Sequence, residues 1–151
     1  MEYFEIEKII LLNRQDAKTQ RNAMNKEQFE YLATQIFQAA LEVHKTMGPG
    51  LLESVYEFAL VKELQLRNIY VQYQVKVPLF YKGHDTGKEF FIDLLVENEI
   101  VIEVKSVDAL HPVHQAQLLS YLKLADKRLG FLINFNVTLV KEGFKRMVNN
   151  Y

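Results

Sequence analysis

The chain contains no cysteine among its 151 residues. Without a thiol it can form neither a disulfide nor a thiolate metal site, so any metal must be held by oxygen or imidazole ligands. No apolar stretch approaches the roughly 20 residues that a membrane helix needs. Residues 9–12 form only a short apolar run, and the charges before it are mainly acidic, unlike those of a signal peptide. Together these absences predict a cytoplasmic protein that does not enter a membrane.

The chain also has little net charge. Its formal charge is -1 at pH 7, so the molecule as a whole exerts no attraction on nucleic acid. The charges are nevertheless uneven, because Lys and Arg outnumber Asp and Glu after residue 100. Lys141, Lys145 and Arg146 belong to this basic part and are candidates for substrate binding, although about half of such clusters are simply solvated faces.

The first residues lack a sustained apolar period. Residues 1–23 include the polar stretch NRQDAKTQRN and are predicted to be a flexible N-terminal extension, with Met24 as an alternative natural start. From Asn25, a possible cap, apolar residues recur every three or four positions and predict a helix of about 20 residues. MGPG at residues 47–50 lacks the flanking residues of a phosphate-binding loop and predicts a turn. Residues 24–151 are predicted to form a single domain.

The rest of the chain alternates between helical and strand patterns. A second helix is expected over residues 52–67, followed by a strand, a turn, a hairpin of two strands, a third helix and a buried strand. These lie at residues 70–81, 82–87, 91–106, 114–125 and 130–135; residues 136–151 fit either a helix or a strand. The order predicts an α/β fold with a mixed central sheet flanked by helices.

The hairpin FIDLLVENEIVIEVKS, residues 91–106, carries charges inside a largely apolar stretch. A three-residue turn at 97–99 would place Asp93 opposite Glu103 and Lys105 opposite Phe91, whereas a two-residue turn would put the two acids on opposite faces. Opposed like charges are destabilising. The pair could share a proton, be neutralised by Lys105, or bind a divalent cation. Alternatively, this face is exposed and the charges are ordinary surface residues.

This arrangement resembles the PD-(D/E)XK nuclease superfamily, in which an Asp is followed after a hairpin by Glu-x-Lys. GLLESVY, residues 50–56, resembles the motif of the bacterial GxxExxY proteins, and QLLSY, residues 117–121, resembles the Gln-x-x-x-Tyr motif of RecB-type nucleases. The similarity covers residues 27–148. It implies a restriction-endonuclease-like αβββαβ core with an extra N-terminal helix.

The resemblance also implies roles for individual residues. Asp93 and Glu103 would bind Mg²⁺ or Mn²⁺, and Glu53, on the helix before the sheet, would complete the acidic cluster. Lys105 would orient or help to deprotonate the attacking water. From sequence alone, a stabilising role for Glu53 at its helix N-terminus is equally compatible.

A second group of residues lies on the third predicted helix. The resemblance places Gln117 and Tyr121 at the edge of the catalytic site, and His114 shares their stripe, so it could bind phosphate or be structural. The chain departs from the namesake motif because Ile92, rather than Pro, precedes Asp93. Where close relatives often carry a basic residue it has Phe91, which removes one expected phosphate contact.

The function that follows is a metal-dependent nuclease that hydrolyses nucleic-acid phosphodiester bonds, with DNA as the expected partner. The chain would act as a monomer or a homodimer. The alternative is a catalytically idle module that keeps the fold but only binds nucleic acid or another protein.

Overall fold

A computed structural model describes residues 24–151, so the predicted N-terminal extension lies outside the described residues. The chain divides into two compact units, Met1–Thr34 and Gln35–Tyr151. The single domain predicted to start at residue 24 stays a prediction. Within residues 24–151, no helix is long and apolar enough to cross a membrane.

The described part of the first unit begins helix α1, Lys26–Met47. The Asn25 side-chain oxygen accepts the backbone N–H of Gln28 at 2.9 Å, and the Gln28 side-chain oxygen accepts the backbone N–H of Asn25 at 2.9 Å. This reciprocal pair satisfies two helix N–H groups that would otherwise lack acceptors. The predicted cap at Asn25 is confirmed.

The second unit follows the predicted order of helices and strands. Its elements after α1 are α2 (Glu53–Leu66), β1 (Val71–Tyr81), β2 (His84–Val96), β3 (Ile100–Lys105), α3 (Pro112–Leu124), β4 (Leu129–Asn134), α4 (Val140–Gly143) and β5 (Phe144–Val148). The unassigned C-terminal stretch thus contains both a short helix and a strand.

One predicted boundary is wrong. Residues 84–87, expected to be part of a turn, are the beginning of β2. The turn needs only Lys82 and Gly83, both at positive φ, 48° and 79°. Such a two-residue turn matches the twist of the flanking strands, so Tyr81 already pairs with His84.

The five strands form one mixed sheet in the order β1-β2-β3-β4-β5. β3 and β4 are parallel, and the other neighbours are antiparallel. A parallel pair needs a crossover connection, which α3 supplies between β3 and β4. The predicted α/β class, with a mixed central sheet flanked by helices, is confirmed.

Both faces of the central strand β3 are buried. On one face, Val101 belongs to a core cluster that includes Leu118 and Leu122 of α3. The alternate side chains Ile100 and Ile102 are fully buried as well. A strand covered on both faces leaves little room for charge, which makes Glu103 in the middle of β3 conspicuous.

Candidate active site

The β2–β3 hairpin has a three-residue turn, the one of the two considered lengths that places Asp93 opposite Glu103. Val96 pairs with Ile100, and the ladder continues to Leu94 and Ile102. Glu97 and Asn98 in the turn both have positive φ, 50° and 58°. Because this register is kept, the next opposed residues are Asp93 and Glu103.

The backbone ladder ends at this point, and side chains take over its hydrogen bonds. Asp93 Oδ2 accepts the backbone N–H of Val104 at 2.9 Å, and Glu103 Oε1 accepts the backbone N–H of Asp93 at 3.4 Å. β2 and β3 therefore separate where the two acids sit. The predicted pairing of Lys105 with Phe91 does not form, because the β2–β3 ladder ends at Leu94 and Ile102.

The Asp93 and Glu103 carboxyl groups are in direct contact. Glu103 is only 6% exposed. Burial, reinforced by the nearby charge of Asp93 and a hydrogen bond between the two side chains, raises the pKa of Glu103 to about 9. A raised pKa favours the protonated form of Glu103, and a proton on Glu103 would relieve the repulsion between the two carboxyl groups.

Lys105 partly offsets the rise in the pKa of Glu103. Side chains alternate along a strand, so Lys105 lies on the same face of β3 as Glu103. The Lys105 charge lowers the pKa of Glu103, but it counts for less than burial and Asp93, which raise it.

The structure adds Glu57 to this pair, a residue that the sequence analysis did not select. Glu57 lies on α2, is 6% exposed, and hydrogen-bonds to Asp93. Burial and the Asp93 charge raise the pKa of Glu57 to about 7. A signal was present in the sequence, because Leu60 and Leu64 follow Glu57 by three and seven positions, and an acid on an apolar helical stripe is unusual.

Glu53, which the sequence predicted as a site residue, lies one turn before Glu57. Its Oε1 accepts the backbone N–H of Ser106 at 3.4 Å, directly after Lys105 at the end of β3. Glu53 also lines an open cleft of about 440 Å³ with Leu51, Leu52, Ser54 and Ser106. α2 therefore presents two acids to the sheet, Glu57 beside Asp93 and Glu53 beside the end of β3.

Tyr121 of α3 lies close to the acidic pair. Its ring stacks on Phe90 of β2 with centroids 4.1 Å apart and planes 13° from parallel. Burial and the charges of Glu103 and Asp93 raise the pKa of the Tyr121 hydroxyl. Gln117, one helical turn earlier, is exposed. The helix thus brings Tyr121 to the carboxyl groups and leaves Gln117 facing solvent on the same side.

The four candidate substrate-binding residues lie in separate places. His114 Nδ1 accepts the backbone N–H of His111 at 3.2 Å, which caps the start of α3. Lys145 and Arg146 are consecutive in β5, so they point to opposite faces of the sheet. The Arg146 guanidinium lies 5.0 Å from the centroid of the Tyr151 ring, and Lys141 is exposed on α4.

The tyrosine of the GLLESVY motif has a structural position. Tyr56 is fully buried, and its ring stacks on Phe135 with centroids 4.6 Å apart. Its hydroxyl donates to the carbonyl of Gly48 and accepts the backbone N–H of Leu51, the latter at 3.1 Å. Gly48 and Gly50 have φ of 72° and 88°. Tyr56 thereby anchors the turn between α1 and α2.

Tyr56→Phe is expected to lower the free energy of unfolding by about 1–3 kcal/mol, because two backbone groups lose a buried partner. Urea denaturation measures the change. The matched control is Tyr81→Phe, whose side chain is 67% exposed and whose effect should stay within about 0.5 kcal/mol. Equal effects in the two variants would contradict the anchoring role.

The donor set suits a hard divalent cation. Asp93 and Glu103 offer carboxylate oxygens, the ligands that Mg²⁺ and Mn²⁺ prefer, and Mg²⁺ usually binds one or two carboxylates and keeps several waters. Among residues 24–151, no group of three or more His, Asp or Glu has the arrangement of a complete protein metal site. The two carboxyl groups would therefore supply part of the shell of such an ion, and further ligands would complete it.

Comparison with known proteins places this geometry in a family. Residues 30–147 match the family model described as the PD-(D/E)XK nuclease superfamily. The match spans well over half of the chain and includes all the acids of the site. A five-stranded mixed sheet with flanking helices agrees with the restriction-endonuclease-like fold of that family. No curated protein matches the chain.

Proposed function

This chain belongs to the PD-(D/E)XK nuclease superfamily, and we propose that it is an active, metal-dependent nuclease that hydrolyses phosphodiester bonds of DNA. The observation that carries this proposal is the convergence of Asp93 and Glu103 where β2 and β3 separate, with each carboxyl group bonded to a backbone N–H of the other strand. Members of the superfamily generally depend on divalent metal ions. A buried acidic pair that retains a proton is the state that a divalent cation would replace.

The acids would hold Mg²⁺ or Mn²⁺ through Asp93 and Glu103, with Glu53 reaching it through water or as a direct ligand. When bound, the cation would offset the negative charge that develops on the phosphate oxygens. Lys105, on the same face as Glu103, orients the attacking water and stabilises charge on the phosphate. The two proposed metal ligands, Asp93 and Glu103, are the residues that lie where β2 and β3 separate.

The other site residues would act around this centre. Tyr121 and Gln117 hydrogen-bond to the substrate phosphate or to the water shell at the edge of the site. Lys145, on the face of the sheet that carries Glu103, is better placed than Arg146 to contact the nucleic-acid backbone. Lys141 and His114 would add contacts further from the reacting phosphate.

Within the superfamily, we assign the chain to the GxxExxY proteins and to the RecB-type branch. The positions of Gly50, Glu53 and Tyr56 on one side, and of Gln117 and Tyr121 on the other, support the assignment. The proposal includes a bacterial cytoplasmic location, a single catalytic domain over residues 24–151, and action as a monomer or homodimer.

The activity is tested by incubating the wild-type protein with labelled single-stranded and double-stranded DNA and with RNA. We expect cleavage of DNA with Mg²⁺ or Mn²⁺ and none with EDTA, because the acids need a cation to bind phosphate. Cleavage that survives EDTA would contradict the proposed site. Calorimetry with Mn²⁺ completes the test, since metal binding without cleavage of any substrate would indicate the idle module.

A further inference from the structure

One residue of β1 departs from strand geometry beside the acidic pair. Gln74 has φ of 49°, although the register is the same on both sides of it, with Tyr73 opposite Leu94 and Val75 opposite Ile92. No residue has been inserted, so the departure is not a bulge. Residues other than glycine rarely adopt this conformation. The residue of β2 that lies opposite Gln74 is Asp93.

The left-handed conformation is unusual even for this chain. Among residues 24–151, the other non-glycine residues with positive φ lie in turns, at helix ends or near the C-terminus, where such backbone is common. They are Asn68, Lys82, Glu97, Asn98, Asp126 and Asn150. Strained backbone inside a regular strand persists where the surroundings fix it, and such positions concentrate at functional sites.

With its backbone in this left-handed conformation, the Gln74 side chain contacts two acids. Its amide nitrogen donates to Glu57 Oε2 at 3.3 Å and to Asp93 Oδ1 at 3.4 Å. A carboxamide carries two N–H donors and no charge, so it can bridge two acids without competing with a cation. Because Val104 already donates to Asp93 Oδ2, both oxygens of Asp93 are held, one from β3 and one from Gln74.

We propose that Gln74 is a positioning residue that fixes the plane of the Asp93 carboxylate and ties Glu57 of α2 to it. The proposal rests on the proposed nuclease function, because it assigns Gln74 to the support of the same metal-binding acid. Gln74 acts through Asp93 rather than on the substrate. Outer partners of this kind orient the ligand and typically change metal affinity when they are removed.

Two substitutions separate the amide from the strained backbone. Gln74→Ala and Gln74→Gly both delete the amide, so we expect both to lose about 10–100-fold in Mn²⁺ affinity. Only glycine relaxes at positive φ, so Gln74→Gly should unfold at a temperature roughly 2–4 °C above that of Gln74→Ala. Calorimetric titration with Mn²⁺ and thermal melts in EDTA measure the two effects.

Two further variants sharpen the test. Gln74→Glu has the same shape but no N–H donors and one more negative charge, so its apo carboxyl groups repel and its Mn²⁺-dependent cleavage should fall at least as far as that of Gln74→Ala. Gln72→Ala is the matched control, because it deletes an amide from the same strand, two residues earlier and opposite Leu95. It should keep wild-type Mn²⁺ affinity.

The outcomes distinguish this proposal from the nuclease function. Wild-type Mn²⁺ affinity in Gln74→Gly, or an equal loss in Gln72→Ala, would overturn the positioning role even if the protein cleaves DNA. A loss of affinity confined to the Gln74 variants, in a protein whose wild type cleaves no nucleic acid, would support the positioning role and remove the nuclease function.

Discussion

Glu103→Gln and Lys105→Met are each expected to reduce metal-dependent DNA cleavage by roughly 10³-fold, which corresponds to about 4 kcal/mol of lost transition-state stabilisation. Glu103→Gln keeps the shape of the side chain and removes one of the two carboxylates that face each other where β2 and β3 separate. Lys105→Met keeps much of the aliphatic stem and removes the cation on the same face. The measurement is the initial rate of cleavage with saturating Mn²⁺.

The two variants should differ in metal binding, and this difference identifies their roles. Glu103→Gln should bind Mn²⁺ much more weakly, because it loses a ligand. Lys105→Met should bind Mn²⁺ at least as well as wild type, because it removes a positive charge from the neighbourhood of the acids. Calorimetry separates the two cases.

Matched controls come from exposed positions that carry the same charges. Lys123→Met on α3 and Glu142→Gln on α4 alter exposed side chains that have no proposed role. Both should cleave within about twofold of wild type if each costs less than about 0.4 kcal/mol in the transition state. Unchanged cleavage in Glu103→Gln and Lys105→Met would mean that the activity arises at another site or from another protein.

The position of the acidic pair follows from local rules once the length of the turn is known. Asn98 tolerates positive φ, the turn has three residues, and strand alternation then places Asp93 opposite Glu103. None of these steps needs the tertiary fold. The same alternation failed for Lys105 and Phe91, because it assumes that the two strands stay paired, and they separate at Asp93.

The supporting residues could not be predicted from the sequence, since they depend on contacts between distant segments. Glu53 and Glu57 lie one turn apart on the same side of α2, and the packing of that helix on the sheet decides which of them meets Asp93. The left-handed backbone of Gln74 is still less accessible, because the Gln side chain does not favour that conformation. In the folded protein its side chain contacts two acids from distant segments.

The basic residues show a third case. Strand alternation could have been applied to them, but strand β5 was not predicted. Lys145 and Arg146 are adjacent in sequence and alike in charge, so the sequence alone predicts that they act together. Once β5 is recognised, alternation places them on opposite faces of the sheet. Because the C-terminal segment was not assigned as a strand, the opposite orientation of these two candidate phosphate contacts could not be predicted.

The metal-free protein is expected to lose stability as the pH rises from 7 to 8.5, and Glu103→Gln is expected to remove most of that loss. The pKa of Glu103 rises from 4.5 to about 9 in the folded state, so in this range the folded protein binds one proton more than the unfolded chain. The free energy of unfolding then falls with pH, by at most about 1.4 kcal/mol per unit for one proton. Gln carries no titrating proton.

Between pH 7 and 8.5, the change in stability comes mainly from Glu103 rather than from Glu57. The pKa of Glu57 rises only to about 7, so its contribution to the pH dependence is largely complete below this range. Other groups titrate equally in both proteins and cancel in the comparison. Urea denaturation in EDTA at pH 7 and 8.5 measures the effect, for which the slopes give an upper limit of about 2 kcal/mol in wild type.

Adding Mn²⁺ should reverse the effect in wild type, because a cation takes the place of the shared proton and binds only the folded state. At a free concentration 100 times the dissociation constant, it would add about 2.7 kcal/mol, and more of this gain should appear at pH 8.5, where less proton must be displaced. Glu103→Gln should gain little at either pH. Parallel pH profiles for the two proteins in EDTA would contradict a proton held between Asp93 and Glu103, and with it the reason that this buried pair would bind a cation.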